Sequence, residues 1–272
     1  IFGCEMYVAR RTMHDKDKSM HDNSGYHLIV LAKNYNGYKN LIKLVSHAWV
    51  DGYYYRPRTD RAELEKYHED LIVCSACIAG EIPSKIIHGD IDGAREACEW
   101  YHRVFGDDFY LELQRHEVKD PTIFANREAF PLQQKANKVL LQFAKEYGIK
   151  VVCTNDCHFE DKETAEAHDH LLCLATNEDL DDPKRMRYSK QEWFKSRQEM
   201  NDVFSDIPEA LTNTLEVLDK VEIYSIDHGP IMPFFPIPES FGTEEEWEKK
   251  FTEEDLYKEF TTDENGENPL SP

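Results

Sequence analysis

Asp156 and His158 stand two residues apart in Thr154-Asn155-Asp156-Cys157-His158, directly after the apolar run Lys150 to Cys153. At a strand end, residues i and i+2 point the same way, so this carboxylate and imidazole can face one pocket. Such a donor pair suits zinc, manganese or iron. Spacing alone leaves an equal alternative, a capping Asp beside a solvated loop His. Glu5 lies in an apolar strand between Cys4 and Met6, where a carboxylate must face solvent or a polar site. Alone, it reads as an exposed residue on an edge strand. His27 heads the run His27 to Ala32 and alone reads as a satisfied core histidine. Cys74 and Cys77 form a single CxxC, and without a second pair this does not define a structural zinc site. Cys77 is then either a buried thiol or one thiolate ligand at a strand end. Glu112, Arg115 and His116 belong to the run Tyr110 to His116. Near its end, Arg115 and His116 could meet a phosphate or a metal-bound water, although a solvated strand end is the plainer reading. His168 and His170 follow closely enough to support ligands from behind.

Positioning these groups falls to an alternation of strands and helices. His27 to Ala32, Leu71 to Cys74, Phe109 to Leu113 and Lys150 to Cys153 read as strands. Asn34 can cap a helix carrying Leu41, Leu44 and Val45. Helical spacing runs from Ile91 to Phe105 with Gly106 as its stop, and from Leu132 to Tyr147 with Gly148 as its stop. This alternation argues for an α/β fold with parallel pairing and right-handed crossovers, as an open sheet or a barrel. In either, chemistry gathers at the C-terminal ends of the strands. Glu5, Cys77, Asp156 and His158 fall in or at the ends of separate strands, with His27 at another.

Beyond His158 the chain reads as mostly helical. Asp161 can cap a helix with Ala165, Leu171 and Leu172. Ser205-Asp206-Ile207-Pro208-Glu209 reads as a helix start, followed by an apolar face of Leu211, Leu215, Leu218 and Val221. Pro230, Pro233, Pro236 and Pro238 then break regular structure. The acidic stretch from Glu244 to Glu267 is expected to be extended.

Composition bounds the function. The chain of 272 residues holds 53 acidic and 32 basic residues, a net charge of -21. That charge opposes a phosphate backbone and excludes a general nucleic-acid clamp. It leaves room for a local site acting through metal ions, which invert the local electrostatics. Seven cysteines, an odd count in a chain of this size, favour reduced thiols and a cytoplasmic setting. No apolar run approaches membrane-spanning length. Ile1-Phe2-Gly3-Cys4-Glu5 reads directly as a strand, so the chain is expected to be a piece of a longer protein.

Several ordered segments resemble a known family. They are Gly3 to Ala9, His27 to Asn34, Gly37 to Leu41, Cys77-Ile78-Ala79-Gly80-Glu81, Tyr110 to His116 and Thr154 to His158. Lys195-Ser196, Glu199-Met200, Phe204, Pro208-Glu209-Ala210 and Asn213-Thr214 follow in the same order. Together they resemble the PHP (polymerase and histidinol phosphatase) domain of the DNA polymerase III alpha subunit, over about residues 1 to 240. The resemblance implies a distorted TIM-like (βα)7 barrel, here without its first strands, followed by helices and a Pro-rich acidic tail. It implies a PHP domain over 1–225 and a connector toward the polymerase core over 226–272. Carried over by position, Glu5 matches a metal-bridging Glu, His27 a ligand heading the next strand, and Cys77 a slot that varies between His and Cys. Asp156 and His158 match the closing Asp-x-His pair, while His116 lies nearby without being a ligand. The family's opening His-x-His strand has no counterpart before Glu5, so Glu5 to Ala9 is expected to be an exposed sheet edge.

For the complete domain, whose metal site this chain holds only in part, the resemblance implies metal-dependent phosphoester hydrolysis in the form of a 3′-to-5′ exonuclease. Asp156 and Arg115 would be its catalytic residues, with Arg115 stabilising phosphate charge. Divalent zinc, manganese or iron would be the cofactor. Partners would be the rest of the alpha subunit, DNA through that parent protein, and the proofreading exonuclease subunit, with no membrane. The alternative is a non-catalytic structural and docking module of the polymerase. A free-standing phosphoesterase of the histidinol phosphatase type fits Tyr110 to His116 and Pro208 to Thr214 less well.

Overall fold

Local sequence punctuation sets the elements. The structure is a computed structural model and describes residues 1–118, 125–234, 236 and 238–262. The first strand, β1 (Gly3–Ala9), alternates: Met6 and Val8 enter the core, while Glu5 and Tyr7 line a cavity. It pairs antiparallel with β2 (Gly25–Ala32), placing Tyr7 opposite His27 and Glu5 opposite Ile29. This corrects the expectation of parallel pairing throughout. A parallel partner needs a crossover helix, and residues 10–24 hold only a 3-10 turn at Lys18–Met20.

Next comes α1 (Tyr35–Val50), capped by the Asn34 side chain on the Gly37 N–H, as expected. A two-residue strand, β3 (Arg58–Thr59), pairs parallel with β1 at Tyr7 and Val8. The edge expected over Glu5 to Ala9 is therefore partly covered, because Arg58 and Thr59 occupy its Tyr7–Val8 stretch. Then follow α2 (Arg61–Lys66), β4 (Leu71–Cys74), α3 (Glu81–Ile87), α4 (Ile91–Phe105) and β5 (Phe109–Leu113). Gly106 stops α4. The helix α5 (Ala125–Tyr147) begins before the expected Leu132 and carries Pro131 inside it. The last strand is β6 (Lys150–Cys153).

The six strands form one sheet in the order β3-β1-β2-β4-β5-β6. β2 is antiparallel to both of its neighbours, and the other pairs are parallel. The start of β2 therefore lies at the same sheet edge as the ends of β1, β4, β5 and β6. That single reversed strand explains how His27, at a strand beginning, joins residues at strand ends. Among the described residues no ladder joins β3 to β6, so the barrel expected from the resemblance appears as an open six-stranded order.

One face of the sheet carries the main core. Met6, Val8, Leu28, Val30, Leu71, Val73, Leu111 and Val151 pack there with Leu41, Leu44, Ile82, Ala97, Tyr101, Leu140 and Phe143 from the helices. Burial on this scale drives the fold, at about 25 cal/mol per Å2 of apolar surface. The opposite face alternates with it and carries Ile72, Cys74, Tyr110 and Val152 against Val217.

After β6 come α6 (Ala165–Thr176), α7 (Arg197–Val203) and α8 (Pro208–Asp219). Pro208 and Glu209 open α8 as expected, but neither Ser205 nor Asp206 caps it. Asp206 is instead taken by Arg115. The chain divides into two compact units, Ile1–Ile226 and Asp227–Pro272. In the second, the expectation of an extended acidic stretch is corrected by α9 (Glu244–Glu248) and α10 (Glu253–Thr261). Thr243 with Glu246, and Thr252 with Asp255, form capping boxes that start these helices. Acids in a first turn also suit the helix dipole. Residues 263–267 of that stretch lie outside the described residues.

Candidate metal centre

Glu5 and His27 meet across the β1–β2 ladder. His27 lies opposite Tyr7, so Glu5 is its diagonal neighbour on the same face, within reach of a long side chain. The Glu5 Oε1 and His27 Nδ1 atoms stand 2.7 Å apart.

Cys77 arrives from the turn after β4. Ala76 takes a left-handed φ of 61° and donates its N–H to Glu112 at 3.1 Å. Two residues past Cys77, the Ala79 carbonyl accepts from the His27 N–H at 3.1 Å, tying the turn to β2. Gly80 is required there, since a Cβ would come within 2.0 Å of the Ser75 carbonyl oxygen. The result places Cys77 Sγ 3.6 Å from His27 Nδ1. The ligand atoms of Glu5, His27 and Cys77 all lie within 4.8 Å of one another.

These donors fit a divalent ion. Around a tetrahedral ion bound at about 2.0–2.3 Å, donor atoms stand roughly 3.3–3.8 Å apart. The His27–Cys77 separation of 3.6 Å lies within that range. The Glu5–His27 pair, at 2.7 Å, is closed by a shared proton that a cation would replace. Hydrogen bonding to Cys77, and then to Glu5, raises His27 to about 10 against the effect of its burial. The same contact with His27 lowers Glu5 despite its partial burial.

Asp156 and His158 line the same cavity of about 670 Å3 as Glu5, His27 and Cys77. They reach it through a turn, not along a pleat as the spacing suggested: Asp156 has a left-handed φ of 46°. Asn155 fixes that turn by donating to the carbonyls of Gln191 at 2.8 Å and Trp193 at 2.7 Å. Burial raises the Asp156 carboxyl above its ordinary value. The His158 Nδ1 donates to the Asp156 carbonyl oxygen at 2.6 Å, and its Nε2 accepts from the Tyr188 hydroxyl at 3.0 Å. That tautomer leaves Nε2 as the atom able to bind a metal.

Other residues place the ligands. Buried Glu112 accepts from Ala76, from Gln114 at 3.2 Å and from Thr154, and burial raises its carboxyl. It thereby joins the turn carrying Cys77 to the segment carrying Asp156. His116 is buried and held by Gln133 at 3.0 Å and the Asn155 carbonyl at 3.1 Å. Burial lowers it, favouring the neutral ring. His168 packs 5.9 Å from the His158 ring and 5.2 Å from Tyr188, whereas His170 is exposed on α6 and bonds the Glu166 carbonyl.

Arg115, expected beside a bound phosphate, is not among the residues lining the cavity. Its guanidinium makes a two-pronged pair with Asp206 at 2.5 and 2.8 Å and lies 5.0 Å from the Phe204 ring centroid. Asp206, in the run that opens α8, is what captures it. Tyr188, Gln133 and Glu192 line the cavity without having been singled out from the sequence. They come from α5 and from the irregular segment 177–196, whose aim no periodicity encodes.

Residues 1–116 match the PHP domain family. The chain is 40% identical over 267 residues to the DNA polymerase III subunit alpha of Borreliella burgdorferi, covering 96% of this chain and 22% of that protein. It is 34% identical over 259 residues to the Treponema pallidum subunit, covering 94% and 21% of the two chains. With the Thermus aquaticus subunit it shares 35% identity over 261 residues, 93% of this chain and 20% of that one. The chain thus spans about a fifth of the length of the curated relatives it matches. Among the described residues, no helix is long and apolar enough to cross a membrane. The chain carries a PHP domain, matched over residues 1–116, and is related to bacterial DNA polymerase III alpha subunits along some 95% of its length.

Proposed function

We propose that this chain is the PHP portion of a bacterial replicative polymerase and hydrolyses phosphoesters as a metal-dependent 3′-to-5′ exonuclease in the cytoplasm. Residues 1–225 would form that domain, and 226–272 would lead toward the polymerase core. The observation that carries the reading is the convergence of Glu5, His27 and Cys77 within 4.8 Å, in one cavity with Asp156 and His158. A bound zinc, manganese or iron ion supplies Lewis-acid polarisation and a more acidic water.

The chain's own groups have separable tasks. Glu5, His27 and Cys77 would hold the ion, with His158 Nε2 as a further donor lining the same cavity. Asp156, whose carboxyl is raised by burial, holds or passes a proton at the reacting water. Glu112 and His116 keep the Cys77 and Asp156 turns in place. Arg115 pins α8 and has no part at the phosphate.

The test compares wild type with Asp156→Asn on a 3′-labelled single strand, beside metal content. Wild type is expected to hydrolyse with added manganese or zinc. Asp156→Asn is expected to lose a factor of about 100 or more, the scale of general acid–base catalysis. If metal binds without Asp156-dependent hydrolysis, the enzymatic reading is wrong, and a docking module for the rest of the polymerase and its proofreading subunit replaces it.

A further inference from the structure

The rim of the cavity beyond Tyr7 has a composition of its own. Arg56 lines the cavity, its guanidinium 5.6 Å from the Tyr7 ring centroid. It is exposed and, among the described residues, forms no ion pair. Tyr55, 59% exposed, precedes it directly in the chain, and Tyr53, 47% exposed, stands three residues before it. Exposed Trp49 stacks on Tyr53 with centroids 5.6 Å apart. Lys18 lies 5.9 Å from the Tyr55 ring. The segment from Gly52 to Thr59 holds two arginines and no carboxylate.

This rim is built. Arg58, fully buried beneath it, donates to the carbonyls of Gly52 at 3.1 Å, Asp22 at 2.8 Å, Met13 at 2.9 Å and Asp15 at 3.0 Å. Those bonds fasten the tyrosine turn and the 10–24 loop to one guanidinium. Tyr55 is held at a left-handed φ of 61°. For a bulky residue such a conformation persists only where its surroundings impose it.

Residues 227–272 contain 13 acidic and 3 basic residues, about half of the net -21. Exposed rings interleaved with cations suit one kind of ligand. Bases of an unpaired strand stack on aromatic faces while guanidinium and ammonium groups meet its phosphates. A duplex hides its base faces and leaves the rings nothing to stack on.

We propose that Tyr53, Tyr55 and Arg56, with Tyr7 at the cavity mouth, form a binding track for an unpaired nucleic-acid strand whose end enters the metal cavity. The inference rests on the hydrolytic reading for what happens at the end of the track, but not for binding along it. The test is fluorescence anisotropy of labelled oligo(dT) and, as a separate arm, oligo(rU), with the whole chain in EDTA at several salt concentrations. Saturable binding of either is expected, and the tighter arm names the strand.

Arg56→Gln is expected to weaken binding about fivefold and to flatten the log–log salt slope by about 0.7, one phosphate contact on a single strand. Tyr55→Asn is expected to weaken it about tenfold with the slope unchanged, since one stacked base is lost. Asn accepts a left-handed backbone, so this variant keeps the turn. Tyr55→Trp is expected to retain binding. No saturable binding by wild type, or binding unmoved by both weakening variants, overturns the proposal. Because the titration is done without metal, its failure leaves the metal reading standing. A chain that binds oligo(dT) but holds no zinc defeats the metal reading alone.

Discussion

At the scale of single residues, Cys77 is the most telling group. Its thiolate, the His27 imidazole and the Glu5 carboxylate differ in softness, and a mixed set of this kind selects zinc over calcium or magnesium. Cys77→His replaces one suitable donor by another and is expected to keep metal affinity within about tenfold, whereas Cys77→Ala is expected to lose more. Cobalt(II) titration checks this directly: wild type should show a thiolate-to-cobalt absorption band, and Cys77→His should bind cobalt without it. A band that survives in Cys77→His would place the thiolate elsewhere. Arg115 makes the contrasting case. Its pair with Asp206 is half in solvent, so Arg115→Met is expected to cost about 1 kcal/mol of stability, read by chemical denaturation. Metal content and hydrolysis per folded molecule are expected to stay unchanged. The sequence brought Arg115 to a strand end but could not show that Asp206, far along the chain, would claim it.

At the scale of elements, the strands and their ends were legible. Apolar runs of four to six residues with following helices marked β2, β4, β5 and β6 within a residue or two. The reversed direction of β2 was not legible, because it depends on the absence of a crossover helix in a loop whose polar residues fit several shapes. The segment 177–196 was also opaque. It has no periodicity, and its course is held by the two Asn155 bonds and by one buried ion pair, Arg185 to Asp169, with both bonds at 2.7 Å. Arg185 holds the Asp169 carboxyl below its ordinary 3.8. A depressed carboxylate contributes stability above that value and loses it as pH falls below, through the folded-state value. Thermal melts of Asp169→Asn and wild type should therefore differ fully at pH 6 and converge as pH drops below about 3.8. Losing one partner of a buried pair is expected to cost about 3–5 kcal/mol. A constant gap across this range would show that Asp169 acts through packing and not through charge.

At the scale of the whole molecule, the sheet serves two masters. One face buries the core against α1, α3, α4 and α5, and the other face carries the candidate ligands at its edge. Because β1, β4, β5 and β6 share a direction and β2 opposes them, residues distant in sequence reach one edge without any long loop. That is why isolated residues such as Glu5 and His27, each unremarked alone, become a set. The ordered motifs gave the family, and the ladder registers gave the geometry that spacing could not.

The central claim is that Glu5, His27 and Cys77 bind a metal ion in the chain as it stands. The most direct measurement is elemental analysis of the purified chain after zinc loading and exhaustive dialysis, beside a His27→Ala and Cys77→Ala double variant shown by circular dichroism to be folded. Wild type is expected to retain at least one zinc per chain and the double variant essentially none. A folded wild type that retains no zinc, or a double variant that retains as much, would contradict the account.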